Sequence, residues 1–406
     1  VPHASTDRPA ADETDRPGDL LAAYAPGAAL IATPERTLLG EGVLETADDP
    51  ANVPAMLDAV RASGRAPDPV AMGAIPFAPG APARLVVPAA VRTAGPAADA
   101  PAPPEGERRP LPGPWRAEAV PEPETHRKAV AEVLAALGGG KGTPPDNGSP
   151  LDKVVLARCL RMTGPGPVDA GQVLRNLAWR DPSGFTFAVD LPPRGAPGPR
   201  TFVGASPELL LSKRGGTVVS NPLAGSRPRS ADPTKDQHNA VELLASAKDR
   251  REHALVVEAV ADGLRPYCAG LDVPAEPELV RTATMWHLST RVTGALADPR
   301  TPSVELASAL HPTPAVCGTP TGAARAAIAE VEPFDRGFYT GAVGYTRADG
   351  DGEWAVAIRC ADIAGDTLDL FAGGGIVEGS DPAEELAETS AKLRTLLLAL
   401  GVNQRL

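Results

Sequence analysis

The sequence predicts a mixed α/β fold. Short apolar runs rich in β-branched residues recur between turn residues, and longer stretches place apolar residues at helical spacing. A hydrophobic content of 43% over 406 residues supplies a substantial core, in one large domain or two ordinary ones. Residues 1–19 are polar and proline-containing with no apolar periodicity, which predicts a disordered tail. From Leu20 to Thr93 the runs AALIAT, VAMGAIPF and ARLVVPAAV read as strands, and PANVPAMLDAVRA as a short amphipathic helix. Residues 94–123, including PAPPEGERRPLPGPW, are dense in proline and charge and should form an extended surface excursion.

THRKAVAEVLAAL (125–137) has a helical period, and glycines 138–140 supply a stop. KVVLARCL, starting at Lys153, reads as a buried strand. Strands are expected at FTFAVDL, TFVGAS, LLLSKR, TVVSNPL, YTGAVGYT, EWAVAIRCADI and TLDLFAG. Helices are expected at AVELLASAKDRREHALVVEAVADGL, VELASAL, GAARAAIAEV and PAEELAETSAKLRTLLLAL. No internal repeat of fixed period is visible.

A formal charge of −12 with no basic stripe argues against nucleic acid and anionic membrane as partners. No run reaches the roughly 18 apolar residues of a membrane span, and the first residues carry no signal-peptide core. Cys159, Cys268, Cys317 and Cys360 are widely spaced, with no CxxC pair, which suits reduced thiols. The expectation is a cytoplasmic protein. The GGG at 373–375 lacks both GxGxxG and the Walker lysine, so no nucleotide is assigned.

Two acidic pairs stand out, Asp249 with Glu252 and Glu385 with Glu388. Residues three apart share a helix face, and two such helices could clamp one hard cation, with water completing its octahedron. Around them lie GASPELLL (204–211), NPLAGS (221–226), HPTPAVCGTP (311–320), GAVGY (341–345) and IRCA (358–361). This ordered set resembles the chorismate-utilising enzymes, most densely over 151–401, and within them the isochorismate synthases of siderophore pathways. The resemblance implies an α/β (α+β) fold in which two antiparallel sheets stack with helices packed outside. It implies one catalytic domain over 20–406, with 94–123 an excursion from it.

The activity implied is Mg2+-dependent conversion of chorismate to isochorismate, with water entering at C2 as the C4 hydroxyl leaves. By resemblance, Lys153 is the base that activates water and Glu208 the acid that protonates the leaving hydroxyl. Such a lysine must be neutral and such a glutamate protonated, so both roles demand an enclosed pocket. Glu252 and Glu388 match direct Mg2+ ligands, and Asp249 and Glu385 match positions that reach the ion through water or support its ligands. Arg359 and Lys392 match positions that hold the enolpyruvyl carboxylate, with Tyr339 and Gly375 near that group. Gly225 matches a position whose backbone amide approaches the ring carboxylate, and His287 one near the reacting hydroxyl. His311 reads as a loop histidine.

Within the family, ammonia-using members typically carry Gln at the position of Lys153, and aminodeoxychorismate synthases carry a nucleophilic lysine where this chain has Ala224. The departures imply a water-adding enzyme with no amidotransferase partner, expected to be monomeric. Salicylate synthase, which also eliminates pyruvate, is the alternative, since Tyr339 matches that branch. A noncatalytic chorismate-binding scaffold is the alternative from another class, and it would lack one of the chemical residues.

Overall fold

The computed structural model describes residues 15–100, 109–137, 151–193, 198–282 and 284–402. Most of the expected tail, part of the proline-rich excursion and the glycine stop at 138–140 lie outside these residues.

Among the described residues, every strand pairing in the sheets is antiparallel. The larger sheet has ten strands. Toward one edge Lys153–Thr163 pairs with Thr367–Val377, followed inward by Cys360–Ala364, Arg200–Ser206, Phe185–Leu191 and Ala29–Ala32. The second sheet has nine strands, with Leu209–Arg214, Gly352–Val356, Ala342–Arg347 and Val70–Ile75 in its middle. A third sheet of three strands runs Leu223–Pro228, Met285–Ser289, Glu278–Arg281.

The two large sheets stack because their strands alternate. In Phe185–Leu191 the odd residues Phe185, Phe187, Val189 and Leu191 join Phe202, Met72, Val343 and Tyr345 between the sheets, while Ala188 faces the other way. On that outer face helices Pro17–Ala23, Ala170–Arg180 and Pro382–Ala399 cover the ten-stranded sheet. Helices Val53–Ala62, Ala247–Leu264 and Ser303–Leu310 cover the nine-stranded one. This is the stacked arrangement the resemblance implied.

Several elements differ from the sequence expectation. The tail expected over 1–19 ends early: the first helix begins at Pro17, and Asp15 forms an ion pair with Arg92. The excursion over 94–123 contains a strand, Arg116–Val120, laid against Lys153–Thr163, because Ala117 and Ala119 turn inward between charged neighbours. The helix expected over 240–264 is two helices, Pro233–Ala245 and Ala247–Leu264. Ser246 separates them with an extended backbone, and its Oγ accepts from Asp249 N, so the serine caps a new helix instead of continuing the old one. TVVSNPL divides at Pro222 between two sheets, and EWAVAIRCADI divides before Cys360 at Arg359, whose φ is 52°. Helix Ala170–Arg180 and the strands between Cys268 and Leu296 were not anticipated.

Phe202 sits at the centre of the inter-sheet core, its ring 5.3 Å from that of Phe187 and 6.0 Å from that of Phe338. Phe202→Ala should cost roughly 3–5 kcal/mol of stability, read as a lower urea midpoint at unchanged slope.

Candidate active site

Residues from the ten- and three-stranded sheets, from loops flanking strands of the nine-stranded sheet, and from helices Ala247–Leu264 and Pro382–Ala399 surround a cavity that opens to solvent, with ≈ 710 Å³ of empty space including its mouth. Glu208, Gly225, Glu252, His287, Tyr339, Arg359, Gly375, Glu388 and Lys392 all line it. Nine of the twelve residues singled out in the sequence therefore converge. The other three, Lys153, Asp249 and Glu385, stand directly behind its wall.

Glu208 follows Pro207 at the turn into Leu209–Arg214 and is buried. Its Oε1 accepts a 3.4 Å hydrogen bond from Leu223 N. Desolvation outweighs that bond and the fields of Lys153 and Lys392, and pushes the carboxyl up to about 7. A carboxyl in this range keeps a proton on a substantial fraction of molecules at near-neutral pH.

Lys153 opens the strand Lys153–Thr163 and has 0% exposure. Its Nζ lies 3.0 Å from Glu252 Oε1, outside hydrogen-bonding alignment, and has no hydrogen-bond partner among the described residues. Gly375 packs against this pair: a Cβ there would lie 2.1 Å from Glu252 Oε1 and 3.0 Å from Lys153 Cε. Only glycine leaves both side chains in place.

The acidic helices meet across the glycine strand Thr367–Val377. Glu388 Oε1 accepts from Lys392 Nζ at 2.6 Å and from Ser226 Oγ at 3.3 Å. Burial opposes its charge, but Lys392, Lys248 and Ser226 prevail and hold it below the ordinary carboxylate value. Glu385 is more deeply buried and accepts from Lys248 Nζ at 2.8 Å. Desolvation, then the Glu388 charge, raise it above its usual value. Burial also raises Asp249, which lies 3.9 Å from an Arg227 nitrogen.

Among the described residues, no three His, Cys, Asp or Glu side chains converge as a ready-made metal cage. Mg2+ does not need one. It is commonly held by one or two carboxylates, substrate oxygens and water, and Glu252 and Glu388 present two carboxylates to one cavity.

Cationic groups occupy the same cavity. Lys392 Nζ also donates to Gly373 O at 2.8 Å. Arg359 takes its left-handed backbone in a short loop whose carbonyl accepts from Ala205 N, and desolvation lowers its guanidinium against the pull of Asp181. His287 is buried, with its ring Nε2 unpartnered. Burial, aided by Arg359 and Lys392, holds it well below the ordinary value and hence neutral. Its strand partner is bulged at Gly225, where φ is 74° and a Cβ would meet Asp249 Cβ at 3.1 Å. Tyr339 stacks on Phe371 with centroids 4.9 Å apart, and Ala224 is part of the wall.

The structure also brings in residues that were not singled out. Ser226, the last residue of the NPLAGS word, holds Glu388. Thr340, with φ 61°, lines the cavity beside Tyr339. Behind them lies a buried ion pair, Arg336 with Glu332. The only sequence signal for it was two opposite charges at spacing i, i+4, which usually marks an exposed face. His311 bonds Pro76 O at 3.0 Å and lines a different groove, consistent with its reading as a loop histidine.

A family model described as chorismate binding enzyme matches residues 114–401. The chain belongs to the chorismate-binding enzyme family. Among relatives of this family, it is 47% identical over 395 residues to the isochorismate synthase DhbC of Bacillus subtilis, covering 95% of this chain and 96% of that one. It is 36% identical to the isochorismate synthase EntC of Escherichia coli K12, over 94% and 97% of the two chains. The crystal structure of DhbC from Bacillus anthracis superposes with a TM-score of 0.88 at 44% identity, covering 95% of this chain and 100% of that one.

The Glu208 shift has a sign that stability measurements can read. The unfolded carboxyl titrates near 4.5 and the folded one near 7, so between these values the folded chain keeps a proton the unfolded chain has lost. The contribution is full below pH 4.5, declines as pH rises toward 7, and is level above. Replacing Glu208 with Gln should remove this decline, so that the variant gains on the parent by about 3 kcal/mol between the two limits, measured by urea unfolding across pH.

Proposed function

We propose that this chain is an isochorismate synthase, an isomerase that converts chorismate to isochorismate for siderophore assembly. One observation carries the reading: a carboxyl poised to hold its proton shares one cavity with the Arg359 and Lys392 cations. Chorismate is a dianion that must lose a hydroxyl, and this cavity offers both anion-binding groups and a proton donor.

In the proposed reaction Arg359 grips the enolpyruvyl carboxylate through its planar fork, and Lys392 adds a point charge. The glycine strand and the Gly225 bulge let the ring approach backbone, with the Tyr339 ring as a wall. Glu208 gives its proton to the C4 hydroxyl, which departs as water. A second water adds its oxygen at C2 and yields its proton to Lys153, while the ring double bonds shift between the two carbons. Proton in and proton out balance, and Lys153 returns its proton to Glu208 through solvent. The unpartnered Nε2 of the neutral His287 is suited to hydrogen-bond a ring hydroxyl. Glu252 and Glu388 would hold Mg2+ against the ring carboxylate, and the ion would draw electron density from the ring. Ala224 at the wall supports water as the nucleophile, since it offers no amine.

Incubation with chorismate and Mg2+, followed by separation of products, tests the reading. Isochorismate alone is expected. Salicylate with pyruvate would move the assignment to salicylate synthase, and unchanged chorismate would leave a binding scaffold. Lys153→Ala and Glu208→Gln should each lower kcat by about 10²- to 10⁴-fold with circular dichroism unchanged. In the parent enzyme kcat/KM should fall as pH rises through about 7, where Glu208 gives up its proton.

A further inference from the structure

The strand that begins at Lys153 has a gap along one edge. Gly318–Thr319 pairs with its first two residues and Arg116–Val120 with residues 159–163. Between these partners, the Val155 carbonyl and the Ala157 amide face no strand. They are met instead by side chains: Arg336 Nη2 donates to Val155 O at 2.7 Å, and Ala157 N donates to Glu332 Oε1 at 2.7 Å. Arg336 and Glu332 are joined by two further bonds, of 2.8 and 2.6 Å, with side-chain exposures of only 2% and 4%.

The remaining bonds of Arg336 run to the cavity wall. Its Nη1 donates to Val316 O at 2.8 Å and to Thr340 Oγ1 at 3.2 Å. All five N–H groups are thereby used, on a carboxylate, two backbone carbonyls and one hydroxyl. The guanidinium lies 4.5 Å from the Phe77 ring and 5.9 Å from that of Tyr339. Val155, Val316, Tyr339 and Thr340 all line the cavity.

We propose that Arg336 and Glu332 form a positioning pair that substitutes for a missing strand and fixes the distance between the Lys153 strand and the Tyr339–Thr340 wall. The inference rests on the isochorismate synthase reading. The pair touches no substrate. It acts by setting where the base stands relative to the wall against which the ring lies. A lysine at 336 keeps the charge, but three donors on one nitrogen cannot span the same acceptors. The anion-binding groups Arg359 and Lys392 are attached elsewhere, so substrate binding is expected to survive a change that spoils alignment.

The test compares Arg336→Lys and Thr340→Val with the unsubstituted chain, each checked for folding by circular dichroism and thermal melting. Arg336→Lys should lower kcat by about 10²-fold, the penalty for displacing a reacting group by roughly an ångström. KM for chorismate should stay within about threefold, because groups that bind the ground state are untouched. Thr340→Val keeps the shape but removes the acceptor for Arg336 Nη1, together with the bond its own hydroxyl donates to Tyr339 O, and should lower kcat by about tenfold. Either folded variant with kcat within about twofold of the parent overturns the proposal, even if its melting temperature has dropped, since that is the signature of a merely structural pair. If Arg336→Lys does not fold, Thr340→Val decides alone. A parent chain that leaves chorismate unchanged overturns the functional reading first, so the two failures are distinguishable.

Discussion

Eleven consecutive residue pairs join Lys153–Thr163 to Thr367–Val377, and the site depends on that ladder. It places Lys153 opposite Val377 and Val155 opposite Gly375, bringing together segments more than two hundred positions apart. Because side chains alternate along a strand, a slip of one residue would turn Lys153 to the other face. The glycines of the second strand then do two things at once. They keep the ladder hydrogen bonds, and they leave room on both faces of the sheet: for Glu252 and the Tyr339 hydroxyl on one, beside Gly375 and Gly373, and for Glu385 on the other, beside Gly374.

The electrostatics follow from that crowding. A chain of formal charge −12 must receive an anion, and its global field works against it. Locally, lysines accompany three of the four candidate metal carboxylates: Lys153 lies beside Glu252, Lys248 beside Glu385 and Lys392 beside Glu388. Lys248 and Lys392 offset repulsion between Glu385 and Glu388 without excluding a cation that needs only some of these oxygens, whereas Lys153 acts as a base only when neutral. Glu208 is the exception. It has no salt-bridge partner among the described residues, and it is the carboxyl whose burial most favours a bound proton.

Much of this was legible in the sequence. Alternating runs such as FTFAVDL and TFVGAS gave the inter-sheet core, and the ordered words around Glu208, Gly225 and Arg359 marked residues that the fold brings to one cavity. What escaped detection did so for physical reasons. AGQVLRNLAWR is the exception: Val173, Leu174 and Leu177 share one face at helical spacing, a signal that was present in the sequence and went unread. Ser246 interrupts a region whose helical period continues on both sides, and only the capping geometry reveals the break. The strand in the proline-rich stretch owes its form to an edge supplied by the Lys153 strand, a partner local propensity cannot see. Arg336 and Glu332 look like surface charges until tertiary contacts enclose them.

Arg359 carries a conflict of its own. Its left-handed backbone is a conformation that glycine adopts freely and an arginine only under constraint, at a cost on the order of 1–2 kcal/mol. The fold would therefore gain by losing this side chain, and if Arg359 grips the substrate as proposed, selection for that grip is what would retain it. A descendant released from that pressure should drift first at this loop, becoming hardier as it becomes inert.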